Sequence, residues 1–121
     1  MAGLNDNAKD LMLDALTDTA AGITYASAHT ADPGPTGTNE HTDGGAGYTR
    51  EAITYAAASG ASVSHNGTDP VFDIDGSTSV THIGFWDAVT VGTFYGSAAV
   101  TAKAFGGDGT YTLTTSTISL T

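Results

Sequence analysis

Leu4, Ala8, Leu11, Met12, Ala15 and Leu16 recur at intervals of three and four, with Lys9, Asp10, Asp14 and Thr17 elsewhere on the wheel. That period gathers the apolar positions into one stripe of an α-helix, and Asn5 or Asp6 offers a side-chain oxygen to cap its first turn. The spacing predicts a helix over residues 6–17. Its stripe needs a surface to lie on, most simply one face or end of a sheet. Closing an open sheet edge and serving as an interaction helix are equally open readings.

From Gly22 onward the period changes to two. Residues 23–29, 48–58, 61–65, 71–74 and 78–85 alternate between apolar and polar positions, which predicts a series of short strands separated by turns. The stretch Thr81 to Gly96 carries the only tryptophan, Trp86, with Phe85, Phe94 and Tyr95, on two short extended runs joined by a turn-like segment. Aromatic pairs across a ladder stabilise sheets locally, so these four residues are the expected core, or a seam between copies. Near the end, Tyr111 and Leu113 fall in one phase and Ile118 and Leu120 in the other, which predicts a bulge or bend near Thr115. The terminal strand is expected to pair within the domain. Asn66-Gly67 reads as a hairpin turn and Asp75-Gly76 as a turn between strands. Together these features predict a mainly β fold: a compact antiparallel β-sandwich or barrel-like domain with one N-terminal helix.

Residues 31–47 interrupt the pattern with two of the three prolines and five glycines. Such a span is expected to leave the core and form a long loop, either an arm that touches a partner or a floppy surface segment. The organisation is then one domain over residues 1–121, with a helix at 6–17, the Gly/Pro-rich loop at 31–47 and the main β body at 48–121. A chain of 121 residues buries a core of its own without staples. It has no cysteine, so neither a disulfide framework nor a thiolate metal site is available.

Charge narrows the partners. Lys9, Arg50 and Lys103 stand against thirteen carboxylates, for a net charge of -10. Phosphate contacts need clusters of Lys and Arg, so nucleic-acid binding is not expected. Only 13% of residues are charged, about half the ~25% usual for soluble domains, which leaves a surface polar through Thr, Ser, Asn and Gly. That surface suits coverage by a partner; an ordinary acidic domain held apart by self-repulsion is the plainer alternative. The start of the chain lacks a basic n-region and a long apolar run, and no later stretch reaches membrane-spanning length. The expectation is synthesis in the cytoplasm without membrane association.

Groupings that could carry chemistry are sparse. Asp69, Asp73, Asp75 and Gly76 suggest a calcium loop, but with Asp73 and Asp75 at positions three and five, position one is Val71 and position twelve is His82, which breaks the pattern. His29, His41, His65 and His82 lack the close spacing of a helical metal pair. No Gly-x-Ser-x-Gly elbow occurs among the serines. We therefore expect no enzyme, no catalytic or metal-binding residue and no cofactor.

Several segments, taken together and in order, carry a resemblance. They are Met1 through Leu16, His29-Thr-Ala-Asp-Pro-Gly34, Gly37-Thr-Asn-Glu40, Tyr48-Thr-Arg50, Val80-Thr-His-Ile-Gly-Phe-Trp-Asp-Ala88 and Gly92-Thr-Phe-Tyr-Gly-Ser97. Over nearly its whole length the chain resembles small virion proteins of tailed phages that infect actinobacteria. The resemblance implies a virion component, of the minor capsid and decoration type or of the tail fibre and minor tail type. A fibre shaft needs repeats, heptads or intertwined strands, and none is legible here. The preferred expectation is therefore a decoration protein that cements the major capsid protein lattice, made in the host cytoplasm and carried in the virion. A tail fibre or minor tail protein is the alternative, and a receptor- or carbohydrate-binding module the second. The expected partners are the major capsid protein or other virion proteins, and further copies of the chain as a homo-oligomer. Leu4 and Leu11 on the helix, with Pro33, Pro35, Asn39, Glu40 and His41 in the loop, are the candidate partner contacts; Phe85, Trp86, Phe94 and Tyr95 are the candidate core or seam.

Overall fold

A computed structural model of the protein describes residues 3–120. The helix α1 spans Asp6–Leu16, capped by Asn5, whose side chain accepts from the Ala8 N–H at 3.0 Å. The strands follow as β1 (Tyr25–His29), β2 (Glu51–Ala52), β3 (Thr54–Tyr55), β4 (Ser62–Asn66), β5 (Val71–Ile74), β6 (Thr78–Trp86), β7 (Phe94–Phe105), β8 (Gly109–Thr112) and β9 (Thr117–Ser119). They form a four-stranded sheet in the order β2-β1-β6-β7, a three-stranded sheet β3-β4-β9 and a two-stranded ribbon β5-β8, with every pairing antiparallel. The fold is mainly β and sandwich-like, with one helix, as the patterning predicts.

The core lies where the ribbon covers the four-stranded sheet. Alternation along β5 buries Phe72 and Ile74 completely and leaves Val71 and Asp73 exposed. They meet Ala26 and Ala28 of β1, Val80, Ile83 and Phe85 of β6, and Phe105 at the end of β7. The terminal segment bends out of one ribbon and into another sheet: β8 pairs with β5, and β9 pairs with β4. The phase change near Thr115 is that crossing. Asp75-Gly76 turns the chain from β5 into β6 as expected, whereas Asn66-Gly67 does not close a hairpin, because β4 pairs with β3 and β9 instead of β5.

Two further expectations need correction. The helix does not lie on its predicted stripe. Leu13 is its buried residue, and Asp10 and Asp14 beside it accept the N–H groups of Ala61 and Ala58, both at 2.8 Å. Leu4, Leu11 and Met12 instead face solvent at 56%, 74% and 51% exposure. Two carboxylates that satisfy backbone donors at the β3–β4 hairpin decide the helix rotation, and of the large residues of the predicted stripe only Leu16, at its end, packs against the core.

The second correction concerns residues 31–47, which fold back against the body through buried Pro33 and His41 and do not leave the core altogether. Pro33 is fully buried and His41 is 8% exposed. His41 N–H bonds the Ala28 carbonyl at 2.8 Å, and Thr30 N–H bonds that of Asn39 at 3.0 Å, so residues 39–41 run as a short continuation beside the end of β1. β1 is thereby covered on both faces: Ala26 and Ala28 point to the core, and Ser27 and His29 lie beneath the loop.

Candidate functional site

Burial of Ser27 and His29 at 0% exposure demands that their polar atoms be satisfied internally. The indole N–H of Trp86 donates to Ser27 Oγ at 2.8 Å, Ser27 Oγ lies 2.7 Å from His29 Nε2, and His29 Nδ1 lies 2.8 Å from the Thr38 carbonyl. A carbonyl only accepts, so Nδ1 carries the proton and Nε2 accepts from the serine. Burial lowers the His29 pKa below 6.5, outweighing the Thr38 carbonyl and Glu40 that favour the cation, and the neutral ring matches this hydrogen-bond chain. The pair has the spacing of a nucleophile and its base, yet both side chains are sealed beneath the loop and the serine oxygen already receives the indole N–H. The structure uses them to fasten the loop.

Around this cluster the loop is clamped by charge. Arg50 donates from Nε and an Nη to Glu40 at 3.0 and 2.9 Å, and from its other Nη to the carbonyls of Ala88 and Val91 at 3.0 and 2.8 Å. Its guanidinium lies 3.6 Å above the Trp86 ring, so one side chain holds the loop, the tryptophan and the β6–β7 connection together. Tyr48 hydroxyl donates to Glu40 at 2.8 Å and accepts from Ala28 N–H at 3.0 Å; burial, with the Glu40 carboxylate beside it, pushes its pKa far up. Glu40 thus joins Arg50 and Tyr48, and its half-buried carboxylate is satisfied by both. Further along, Asp75 accepts from the N–H groups of Gly44 and Ala46 at 2.9 and 3.0 Å and contacts His41 Nε2 at 2.8 Å. The Gly44 and Ala46 amides and His41 hold its carboxyl below the usual carboxylate range.

The predicted contact residues therefore divide. Pro33 and His41 are interior, and Glu40 is committed to Arg50 and Tyr48, so these three are structural pins, because the loop must cover the second face of β1. Pro35 and Asn39 are exposed, as are Leu4 and Leu11 on the helix. Phe85 and Trp86 belong to the interior, with Trp86 paired to Phe94 at a 5.0 Å centroid distance. Tyr95 is 40% exposed and its hydroxyl donates to the Ala21 carbonyl at 3.2 Å. Of the aromatics that could stack on a sugar in a carbohydrate-binding module, Trp86 and Tyr48 are inside the molecule and Tyr55 is half-buried.

Among the described residues, two exposed surfaces stand out. One is the apolar face of α1, where Leu4 and Met12 with Gly3, Lys9 and Leu120 border a depression. The other was not predicted. β7 runs for twelve residues at the margin of the four-stranded sheet, and most of its side chains are exposed. A groove of about 590 Å³ lies along it, floored by Leu16, Ile23, Ile83, Phe85, Leu113 and Ile118 and rimmed by β7 and the hydroxyl-rich residues 115–119. The extended run at Phe94 and Tyr95 reads as the start of this strand, but alternation does not reveal its length, because Ser97-Ala-Ala-Val-Thr-Ala102 is small and nearly uniform; the other legible signal is the absence of charge from Ala88 to Ala102.

Comparison with known families places these surfaces in context. A family model described as podophage GP4 fiber I protein gp80 matches residues 4–121. No match was found among curated proteins. Because the matched span leaves out only the first three residues, the chain belongs to this podophage fibre protein family and is a structural protein of the phage virion.

Proposed function

We propose that the chain is a tail-fibre protein, acting by shape and contact area and without turnover, in a phage whose host is an actinobacterium. The family match across residues 4–121 carries the fibre reading; the host reading rests on the resemblance of its segments to virion proteins of such phages. The fibre reading takes precedence over capsid cementing, which was preferred because no shaft-forming repeat is legible. That argument excludes a shaft and leaves room for a compact fibre subunit at a junction, a base or a tip. Within this reading the exposed face of α1 is the attachment surface. Leu4, Leu11 and Met12 offer apolar area worth roughly 25 cal/mol per Å² on burial, and the net charge of -10 favours a basic surface on the neighbouring virion protein. Gold-labelled antibody against the chain, imaged on intact virions, tests the location: label on the tail is expected, and label spread over the head would restore the capsid reading.

A further inference from the structure

The charge of the chain is segregated. Residues 88–121 hold one base, Lys103, and one acid, Asp108, so the whole net charge of -10 resides in residues 1–87, which hold Lys9 and Arg50 against twelve carboxylates. β7 lies in this neutral part, and every residue lining the groove beside it is uncharged, including Leu16, Ile23, Ile83 and Phe85 from the acidic part.

The sheet margins are unequal as well. β2 and β3 have two residues each, β9 has three, and β5 and β8 have four. Short edges of this kind protect a domain from strand addition. β7, at twelve residues, presents an edge about 40 Å long at ~3.3 Å per residue. It contains no proline and a single charge, Lys103, near one end. Its protection is limited to two register shifts, one opposite Val80 and His82 and one opposite Phe85 and Trp86. Between those shifts, Gly96-Ser-Ala-Ala99 pairs regularly with β6 and offers small side chains that let another strand approach closely.

We infer that β7 is a self-association edge, at which a second copy of this chain adds its own β7 antiparallel about a two-fold axis to make an eight-stranded sheet across the pair. The occupant follows from charge. Two bodies of net charge -10 repel wherever their carboxylates face, and β7 with its groove is a surface at which they meet without that cost. A basic partner, by contrast, is drawn to the acidic remainder of the molecule. Pairing supplies hydrogen bonds to the outer backbone groups of β7, and the incoming strand covers the apolar groove floor. The same patch serves both copies, so the contact closes as a dimer. This inference goes beyond the fibre reading and does not depend on where in the virion the chain sits.

Sedimentation of the full chain, with its native fold checked by circular dichroism, tests the proposal. The native chain is expected to be a dimer. Ala98→Glu and Ala98→Lys place like charges near the axis at an exposed position and are expected to weaken dimerisation about tenfold or more, while an equal mixture of the two reforms dimers. Amide exchange at the N–H groups of residues 95–101 that face away from β6 should be slow in the native chain and fast in either variant alone, while those bonded to β6 stay protected in both. A monomeric native chain, a trimer, variants that dimerise as the native chain does, or a mixture that stays monomeric would each overturn it.

Discussion

His29 shows how a polar residue in the interior acquires a role that its type alone does not announce. Its ring is held neutral between Ser27 and the Thr38 carbonyl, and burial lowers its pKa below 6.5. In the unfolded chain the same ring takes up a proton as pH falls through 6.5, so below that value the unfolded state binds more protons than the native one. Stability is therefore full above 6.5 and declines as pH drops toward the native value, with a slope of at most about 1.4 kcal/mol per pH unit from this group. Asp43 and Asp75, whose carboxyls are depressed by the amides of Gly45 and Gly47 and of Gly44 and Ala46, add a separate loss only when pH falls below their unfolded value of 3.8. Thermal melting against pH should show both phases, and His29→Gln should remove the upper one while keeping the lower. Persistence of the upper phase in that variant would assign it to another group. Glycine makes a comparable point: Gly37 lies at φ +79°, and a Cβ there would stand 2.7 Å from the Trp86 ring, so the loop can seat on the tryptophan only without a side chain.

At the scale of elements, periodicity located the helix and most of the strands, because burial on one face leaves an alternation that survives in the sequence; of the two caps the sequence offered, Asn5 or Asp6, the structure uses Asn5. It assigned the helix rotation incorrectly. The apolar residues of α1 outnumber what the sheet can cover, and Asp10 and Asp14, bonded to the Ala61 and Ala58 amides, turn Leu13 inward. Leu13→Ala should cost about 2–5 kcal/mol, whereas Leu11→Ala should stay within roughly 0.5 kcal/mol and leave the melting temperature nearly unchanged. Chemical denaturation of the two variants distinguishes this rotation from the one expected on the stripe, for which the order reverses. The loop of residues 31–47 was misjudged for a related reason: Gly and Pro content reports that a segment is irregular, and says nothing of whether it is packed.

For the whole molecule, the segregation of charge sets the response to salt. Raising ionic strength shortens the Debye length from about 10 Å at 0.1 M to about 3 Å at 1 M. Screening should tighten pairing through the neutral β7 edge by reducing repulsion between the acidic bodies, and should weaken attachment of the acidic molecule to a basic virion surface. Dimer dissociation constants and retention of the chain on salt-washed particles are expected to move in opposite senses; movement in the same sense would mean that charge does not divide the two surfaces. The family features, the mainly β class, the single helix and the uncharged stretch around β7 were determined by sequence alone, since each depends on local pattern or on composition. Which face of α1 is buried, the seating of Pro33 and His41 beneath a folded loop, the joining of Ser27, His29, Arg50 and Trp86, and the free margin of β7 were decided only in three dimensions. Each of these depends on pairings between distant segments, which compete for the same surfaces and leave no periodic mark along the chain.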